Sequence, residues 1–186
     1  MKKYTIIGGI NGTGKSSFTG VLKTNVSDLG VIIDVDRITA SVGGKPLEGG
    51  KIALKKINDC FEKGVCFTQE TTLSGSFVPK TAKRAQELNY YIRLYYIGLD
   101  TMEESLDRIA NRVKRGGHNV TDEDVERRFA ERWKSVGAVL PYCNEAAFYD
   151  NDNGFVEIAE YRNGELRLIG EEHPAWILEL QAYLKD

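Results

Sequence analysis

The sequence predicts an α/β fold in which a parallel sheet is layered between helices. Three observations carry that expectation. Short apolar runs alternate with stretches of helical periodicity along the chain, the pattern of parallel strands joined by helical crossovers. Residues 9 to 16 read GINGTGKS, directly after the apolar run in KKYTIIG and before a helical stretch. Asn163-Gly164 lies between two alternating runs, the strongest short signal for a β-hairpin.

Each element follows from local pattern. KKYTIIGGI is a short apolar run stopped by glycine, hence a buried strand. Residues 15 to about 27 are helical, with Phe18, Val21 and Leu22 on one face. GVIIDVD is a second buried strand. SVGGKPLEGG is expected to be a glycine-rich loop, followed by a helix over about 51 to 63 that turns Ile52, Leu54, Ile57 and Phe61 inward. GVCFTQETT is a third strand, and 79 to 88 another helix with Pro79 near its start. YYIRLYYIGL, rich in aromatic and β-branched residues, is a fourth strand.

Thr101 with Glu104 three residues on forms a capping box, and Gly116 is the natural stop of the helix between them. Leu106, Ile109, Ala110 and Val113 mark its expected core stripe. Thr121 opens the next helix, with Asp124 in the matching position and Val125, Phe129, Trp133 and Val136 at helical spacing. AAFYDN is a fifth strand. FVEIAEYRNGELRLIG is the hairpin, and a short amphipathic helix starts at Pro174.

At 186 residues the chain is expected to form one domain over 1–186 with a full core. A net charge of −2, from 25 basic and 27 acidic residues, gives no electrostatic case for nucleic acid. The three cysteines, Cys60, Cys66 and Cys143, are odd in number and lack metal-ligand spacing, which suits reduced thiols in a cytoplasm. No stretch reaches the roughly 18 apolar residues of a membrane span. A cytoplasmic protein without membrane attachment is therefore expected.

GINGTGKS matches G-x-x-x-x-G-K-[ST] in full, after an expected strand and before an expected helix, the context that a phosphate-binding P-loop requires. Gly9, Gly12 and Gly14 let the backbone turn so that successive N–H groups face phosphate oxygens. The following helix adds its N-terminal dipole. Asn11, Gly12, Thr13, Gly14, Lys15, Ser16 and Ser17 are thus the expected nucleotide-binding set. Lys15 would reach the β- and γ-phosphates, and the Ser16 hydroxyl would ligate Mg²⁺. A glycine turn that merely carries a lysine is the alternative, which the full match in context disfavours. A guanine-reading NKxD string is absent, which argues against a GTPase. LSGS at 73 to 76 resembles the start of a transporter-ATPase signature but lacks the helical subdomain that should precede it.

Three further constellations suggest a kinase. Asp34 and Asp36 end the second strand, on one face if the strand continues, beside the P-loop at the carboxyl edge of the sheet. A carboxylate there could orient an acceptor hydroxyl and take its proton, or instead cap the turn that follows. QETT ends the third strand, with Glu70 placed to hold metal-bound water or acceptor. Thr71 and Thr72 would bind substrate or simply terminate the strand. Arginines cluster on two adjacent helices: Arg108, Arg112 and Arg115, then Arg128 and Arg132. The glycine hinge RGGHNVTDEDV lies between them, with His118 expected as a hinge hydrogen-bonder. Such a pair of helices, over about 105–138, suits a mobile kinase lid that neutralises a transferred phosphoryl group and excludes water. Solvated ion pairing, Asp124–Arg128 and Glu123–Arg127, is the alternative.

Together, GINGTGKSSF, IIDVDRIT, QETTLSG, SLDRIANRVKRGGHNVTDEDVERRF and FYDN resemble, in order, the zeta-toxin-like family of P-loop kinases. The resemblance runs from about residue 4 to 153. It implies a P-loop NTPase three-layer fold, with a parallel sheet of about five strands, a helical lid and a C-terminal β-hairpin and helix over about 154–186. It further implies ATP and Mg²⁺ as cofactors and phosphoryl transfer to a hydroxyl of a small molecule, a nucleotide sugar such as UDP-N-acetylglucosamine being the acceptor of the better-known members. By that likeness Asp36 matches the acceptor-activating base, Glu70 the strand-end acid near the sugar, and Arg112 and Arg128 the phosphate-clamping arginines. Asn151 would lie near the adenine. The chain departs from the pattern in having Asp34 where asparagine is frequent and TTLSG where the classical toxins carry an arginine-containing loop. The resemblance leaves room for an antitoxin partner, which no residue here indicates. A small-molecule kinase with another acceptor and a nucleotide-binding regulatory ATPase are the alternatives.

Overall fold

The computed structural model describes residues 1–117 and 119–185; His118 lies outside them. The sheet has seven strands in the order β2-β3-β1-β4-β5-β6-β7. Strands β1 (Lys3–Gly8), β2 (Val31–Asp34), β3 (Phe67–Thr71), β4 (Tyr91–Gly98) and β5 (Glu145–Asp150) run parallel. The hairpin β6 (Val156–Arg162) and β7 (Glu165–Leu168) adds two antiparallel strands beyond β5. Its turn has Asn163 at φ 53° and Gly164 at φ 84°, the two positive φ values that an Asn-Gly hairpin turn requires. The five parallel strands and the hairpin therefore match the sequence expectation.

Helices α1 (Lys15–Asn25), α2 (Val35–Ser41), α3 (Pro46–Lys63), α4 (Phe77–Glu87), α5 (Met102–Lys114), α6 (Asp122–Ala130), α7 (Arg132–Val139) and α8 (Ala175–Tyr183) surround the sheet unequally. The large core joins one sheet face (Ile6, Ile33, Leu94) to α3, α4, α7 and α8 through Ile57, Val78, Val136 and Trp176. On the other face a smaller core joins Ile7 and Ile97 to Phe18 and Leu22 of α1. Layering is real but one layer is thin. No helix among the described residues is long and apolar enough to cross a membrane.

Several local expectations are corrected. The second strand stops at Asp34, and α2 occupies the residues that follow. Residues 46 to 50 belong to α3 rather than to a loop, because Pro46 at the first helical position tolerates a helix start that two glycines would disfavour. The inward face of α3 is Ala53, Ile57, Cys60 and Phe61, whereas Ile52 and Leu54 are exposed, as is Val21 of α1. The expected long helix after Thr121 breaks at Glu131 into α6 and α7. On α5 only Ser105 and Ile109 are buried, and Val113 is exposed, since α5 packs on α6 and the P-loop rather than on the sheet. Arg127 pairs with Asp124 at 2.5 Å, not with Glu123, and Arg128 reaches Asp124 at 4.0 Å.

The capping box is present. Thr101 Oγ1 accepts from Glu104 N at 3.2 Å and Glu104 Oε2 accepts from Thr101 N at 3.3 Å. Thr101→Ala is expected to cost about 1 kcal/mol of stability, measured by denaturant melts, because Glu104 N loses its side-chain acceptor while the bond from the residue 101 N–H to Glu104 is kept.

Candidate active site

The parallel strands end together. Asp34 is in register with Glu70, Glu70 with Ile7, and Thr71 with Gly8. Residues in register point to the same side, so Asp34 and Glu70 face α1 along with Ile7. Glu70 is 6% exposed, and both of its oxygens are occupied. Oε2 accepts from Ser16 Oγ at 2.8 Å and Oε1 from Thr19 Oγ1 at 2.6 Å. The end of β3 is thereby fastened to the first turn of α1. Thr19 was not singled out from the sequence, although it lies three residues from Ser16 and so shares its helix face.

The loop between β1 and α1 has Gly12 at φ 82° and Gly14 at φ 94°, where L side chains are strained. Neighbours crowd both positions: a Cβ on Gly12 would stand 2.8 Å from the Ser105 carbonyl oxygen, and one on Gly14 would stand 2.6 Å from Asn151 Nδ2. Asn11, Thr13 and Lys15 are buried in this loop, and Ser16 and Ser17 are exposed at the start of α1. Thr13 Oγ1 donates to the Ile10 carbonyl at 3.1 Å. Lys15 Nζ folds back onto the carbonyls of Gly9 at 2.8 Å and Ile10 at 2.9 Å. Burial lowers the pKa of Lys15, against the pull of the Asp36, Glu70 and Asp34 carboxylates. A glycine-rich loop feeding a helix N-terminus, with a buried lysine inside it, is suited chemically to a polyphosphate.

Elements from the far half of the chain close over this loop. Ser105 Oγ of α5 donates to the Asn11 carbonyl at 2.6 Å. Arg128 Nη1 of α6 donates to Asn11 Oδ1 at 2.6 Å, and its Nε is buried without a hydrogen-bond partner among the described residues. Asn151, just past β5, donates from Nδ2 to the Thr13 carbonyl at 2.8 Å, and its own carbonyl accepts from Arg108 Nη2 at 2.8 Å. Beside it Phe155, Phe18, Tyr149 and Tyr95 form a cluster of ring contacts. Arg112 lines a cavity of about 400 Å³ with Arg108 and Arg115, and its charge lowers the Lys15 pKa. Arg108 is among the arginines that the sequence marks for the lid, whereas Ser105 and Phe155 give no distinct sequence signal, because their relation to the loop is set by the crossing of α5 and by the turn after β5.

The two aspartates do not share a strand face. Asp34 caps α2, its Oδ1 accepting from Arg37 N at 2.9 Å, and Asp36 sits exposed in the first turn of that helix. Thr71 Oγ1 accepts from Leu73 N at 3.0 Å and Thr72 Oγ1 donates to Ser74 Oγ at 3.3 Å, so both close the turn after β3.

Burial, with Glu70 and Asp36 adding to it, pushes the Asp34 carboxyl above its ordinary range in spite of the Arg37 N–H bond. A carboxyl raised on folding contributes stability below its unfolded pKa and loses it as pH rises through the folded one. Asp34→Asn keeps the cap, since asparagine caps as well as aspartate, and removes the ionisation. The variant is expected to melt above the parent at neutral pH. That advantage should vanish as pH falls below the ordinary value of about 3.9. Paired thermal melts at neutral and acid pH check this.

No protein-family model matches the chain. An uncharacterized protein of Haemophilus influenzae is 31% identical over 126 residues, which are 65% of this chain and 88% of that protein. Among solved structures, AvrRxo1-ORF1 with AvrRxo1-ORF2 and sulphate ions superposes with TM-score 0.70 at 15% identity, over 96% of this chain and 63% of that one. The chain thus spans less than two thirds of that structure's length. The same pair of proteins with ATP gives TM-score 0.67 at 14% identity, over 100% of this chain and 76% of that one. The PezAT chromosomal toxin–antitoxin system of Streptococcus pneumoniae gives TM-score 0.66 at 17% identity, over 99% and 78%. The chain belongs to the family of the Haemophilus influenzae protein, and its fold is that of the zeta-toxin-like P-loop kinases.

Proposed function

We propose that this chain is a kinase that transfers the γ-phosphoryl group of ATP to a hydroxyl of a small molecule. The observation that carries the proposal is Glu70, buried between Ser16 and Thr19 and in register with Asp34. It sets acceptor-side carboxylates against the first turn of the P-loop helix. Glu70 suits the metal side, and Asp34 beside it the acceptor side, the pairing that transfer to a hydroxyl calls for. The chain acts as one domain, 1–186, in which 105–138 is the lid and 154–186 an added hairpin and helix.

In this mechanism the loop N–H groups from Asn11 to Ser17 would hold the phosphates, and Lys15, bonded here to the Gly9 and Ile10 carbonyls, would supply the positive charge beside them. Asn151 and the neighbouring rings border the adenine. Ser16 Oγ would offer Mg²⁺ a hard oxygen donor, with Glu70, hydrogen-bonded to it, as the neighbouring carboxylate that would help to hold the ion. Mg²⁺ supplies neutralisation of developing charge when bound. Asp36 accepts the proton of the acceptor hydroxyl, Asp34, Thr71 and Thr72 contact the acceptor, and the acceptor oxygen bonds to the γ-phosphorus. The bond to the β-γ bridging oxygen breaks and ADP leaves. Arg112 and Arg128 clamp the moving phosphoryl group. The buried, unbonded Nε of Arg128 is a donor for it.

Supporting this, the neighbours include an ATP complex and kinase folds. A nucleotide sugar such as UDP-N-acetylglucosamine is the acceptor that the family resemblance suggests, and an antitoxin-like protein partner is compatible with the PezAT likeness. Free thiols at Cys60, Cys66 and Cys143 and the use of ATP fit the cytoplasm.

Incubation with γ-labelled ATP and a metabolite pool tests the proposal. Label on a metabolite supports it; label released only as phosphate makes the protein an ATPase. Arg112→Ala and Arg128→Ala are each expected to lower kcat by tenfold or more, short of the roughly 10³–10⁵-fold of a GTPase arginine finger. Nucleotide affinity should change less, because a clamp acts mainly in the transition state. Lysine should rescue only partly, lacking the planar fork. Unchanged turnover in both alanine variants would return the arginines to solvated ion pairing.

A further inference from the structure

The break at Glu131 joins two unlike helices. The one buried residue of α6, Val125, lies in neither core, whereas α7 enters the large core through Val136 and Val139. It is α6 that carries Arg128, whose Nη1 reaches Asn11 of the P-loop. The aim of Arg128 therefore depends on the angle at which α6 meets the anchored α7. Arg132, the first residue of α7, spans that joint. Its Nη1 donates back to the Phe129 carbonyl at 2.6 Å, in the last turn of α6, where a cation also suits the helix dipole. Its guanidinium lies 3.8 Å from the centroid of the Phe129 ring and 4.4 Å from that of Trp133.

What fixes Arg132 comes from the far end of the chain. Glu179 of α8 accepts through one oxygen, Oε2, from Arg132 Nη2 at 2.5 Å and from Trp133 Nε1 at 3.3 Å. It is the only carboxylate paired with Arg132 among the described residues. The Arg132 side chain is 12% exposed and its Nε is buried without a hydrogen-bond partner, so little water is at hand to replace that carboxylate. The helix that carries Glu179 is itself anchored. Trp176, three residues earlier, is fully buried, and its ring stacks on Trp133 at 6.2 Å between centroids. We propose that Glu179 is a positioning residue for phosphoryl transfer, which locks Arg132 across the α6–α7 joint and so sets where Arg128 enters the site. The inference rests on the kinase proposal, in which Arg128 clamps the moving phosphoryl group. Glu179 touches neither the P-loop nor the strand-end carboxylates. Its effect passes through Arg132, the Phe129 carbonyl and the direction of α6.

The test uses the full chain, γ-labelled ATP with Mg²⁺, and a fixed amount of the low-molecular-weight filtrate of a cell lysate, and follows label on metabolite. Glu179→Ala is expected to lower kcat roughly tenfold, within the 10²-fold that a misplacement of about 1 Å can cost. KM for ATP should stay within about twofold, because the clamp acts mainly in the transition state. In an Arg128→Ala background the same substitution should lower kcat no further, since no clamp is left to aim. Glu179→Gln keeps an acceptor oxygen without the charge and should show a smaller loss of the same kind. It carries the test if Glu179→Ala fails to fold. An equal loss in both backgrounds overturns the proposal, because Glu179 then acts by another route. A lower melting temperature with unchanged kcat also overturns it, leaving a purely structural ion pair. Both results leave the kinase reading intact. Absence of label on every metabolite with the parent protein removes that reading itself, and the proposal with it.

Discussion

Lys15→Ala is expected to abolish phosphoryl transfer while the protein stays folded. Lys15 is buried and its hydrogen bonds go to two carbonyls of its own loop, Gly9 and Ile10. Removing it deletes both a ground-state contact to the phosphates and the charge that neutralises the transition state. Nucleotide affinity should fall by about 1.5–3 kcal/mol, the worth of one charge-assisted hydrogen bond. Turnover should fall much further. Steady-state kinetics beside a thermal melt check both halves, and a variant with parental turnover would end the P-loop account of residues 9 to 16.

Asp36→Asn is expected to lose roughly 10²–10⁴-fold in turnover with little change in ATP·Mg²⁺ binding. Asparagine keeps the size and the hydrogen bonding of aspartate but accepts no proton from an acceptor hydroxyl. Asp36 is exposed on the first turn of α2, and its carboxylate is the foremost charge favouring the Lys15 ammonium. Asp36 is the residue that the family resemblance matches to the base, and its carboxylate is free of the capping bond that engages Asp34. If Asp36→Asn loses nucleotide binding along with activity, the residue serves the metal or the lysine, and Glu70 becomes the candidate base. If it stays fully active, Asp36 only stabilises the helix N-terminus.

Much of the fold and of the phosphate loop is legible in the sequence. The apolar runs of β1, β3, β4 and β5 are buried strands with nothing to compete with that pattern. GINGTGKS fixed the one loop whose geometry hardly varies with context, and the Thr101 box and the Asn163-Gly164 turn are local motifs. What was not legible depends on partners distant in sequence. Ile52 and Leu54 look as apolar as Ile57, but only contact with the sheet decides which of them faces in. Asp34 reads as strand end or as cap, and the strand ends early because the cap bond to Arg37 N wins. Ser105, Arg108 and Arg128 join the P-loop through Asn11 and Asn151. No spacing rule links residues 11 and 128.

Trp176 is fully buried: its backbone N–H donates to Asp100 Oδ1 at 3.0 Å, its indole N–H to Asp150 Oδ1 at 2.9 Å, and a Cβ on Gly98 would overlap its ring. The ends of β4 and β5, from which the turn to Asn151 departs, are thus tied together by a residue far along the chain from Lys15. Synthesis runs from N- to C-terminus at about 5–20 residues per second. For seconds after the GINGTGKS loop leaves the ribosome, its supporting tryptophan does not yet exist. A nascent chain halted before residue 176 would therefore hold the motif without the wedge that sets the neighbouring strand ends. Nucleotide affinity should then appear late in translation, when α8 docks, and not when the motif emerges.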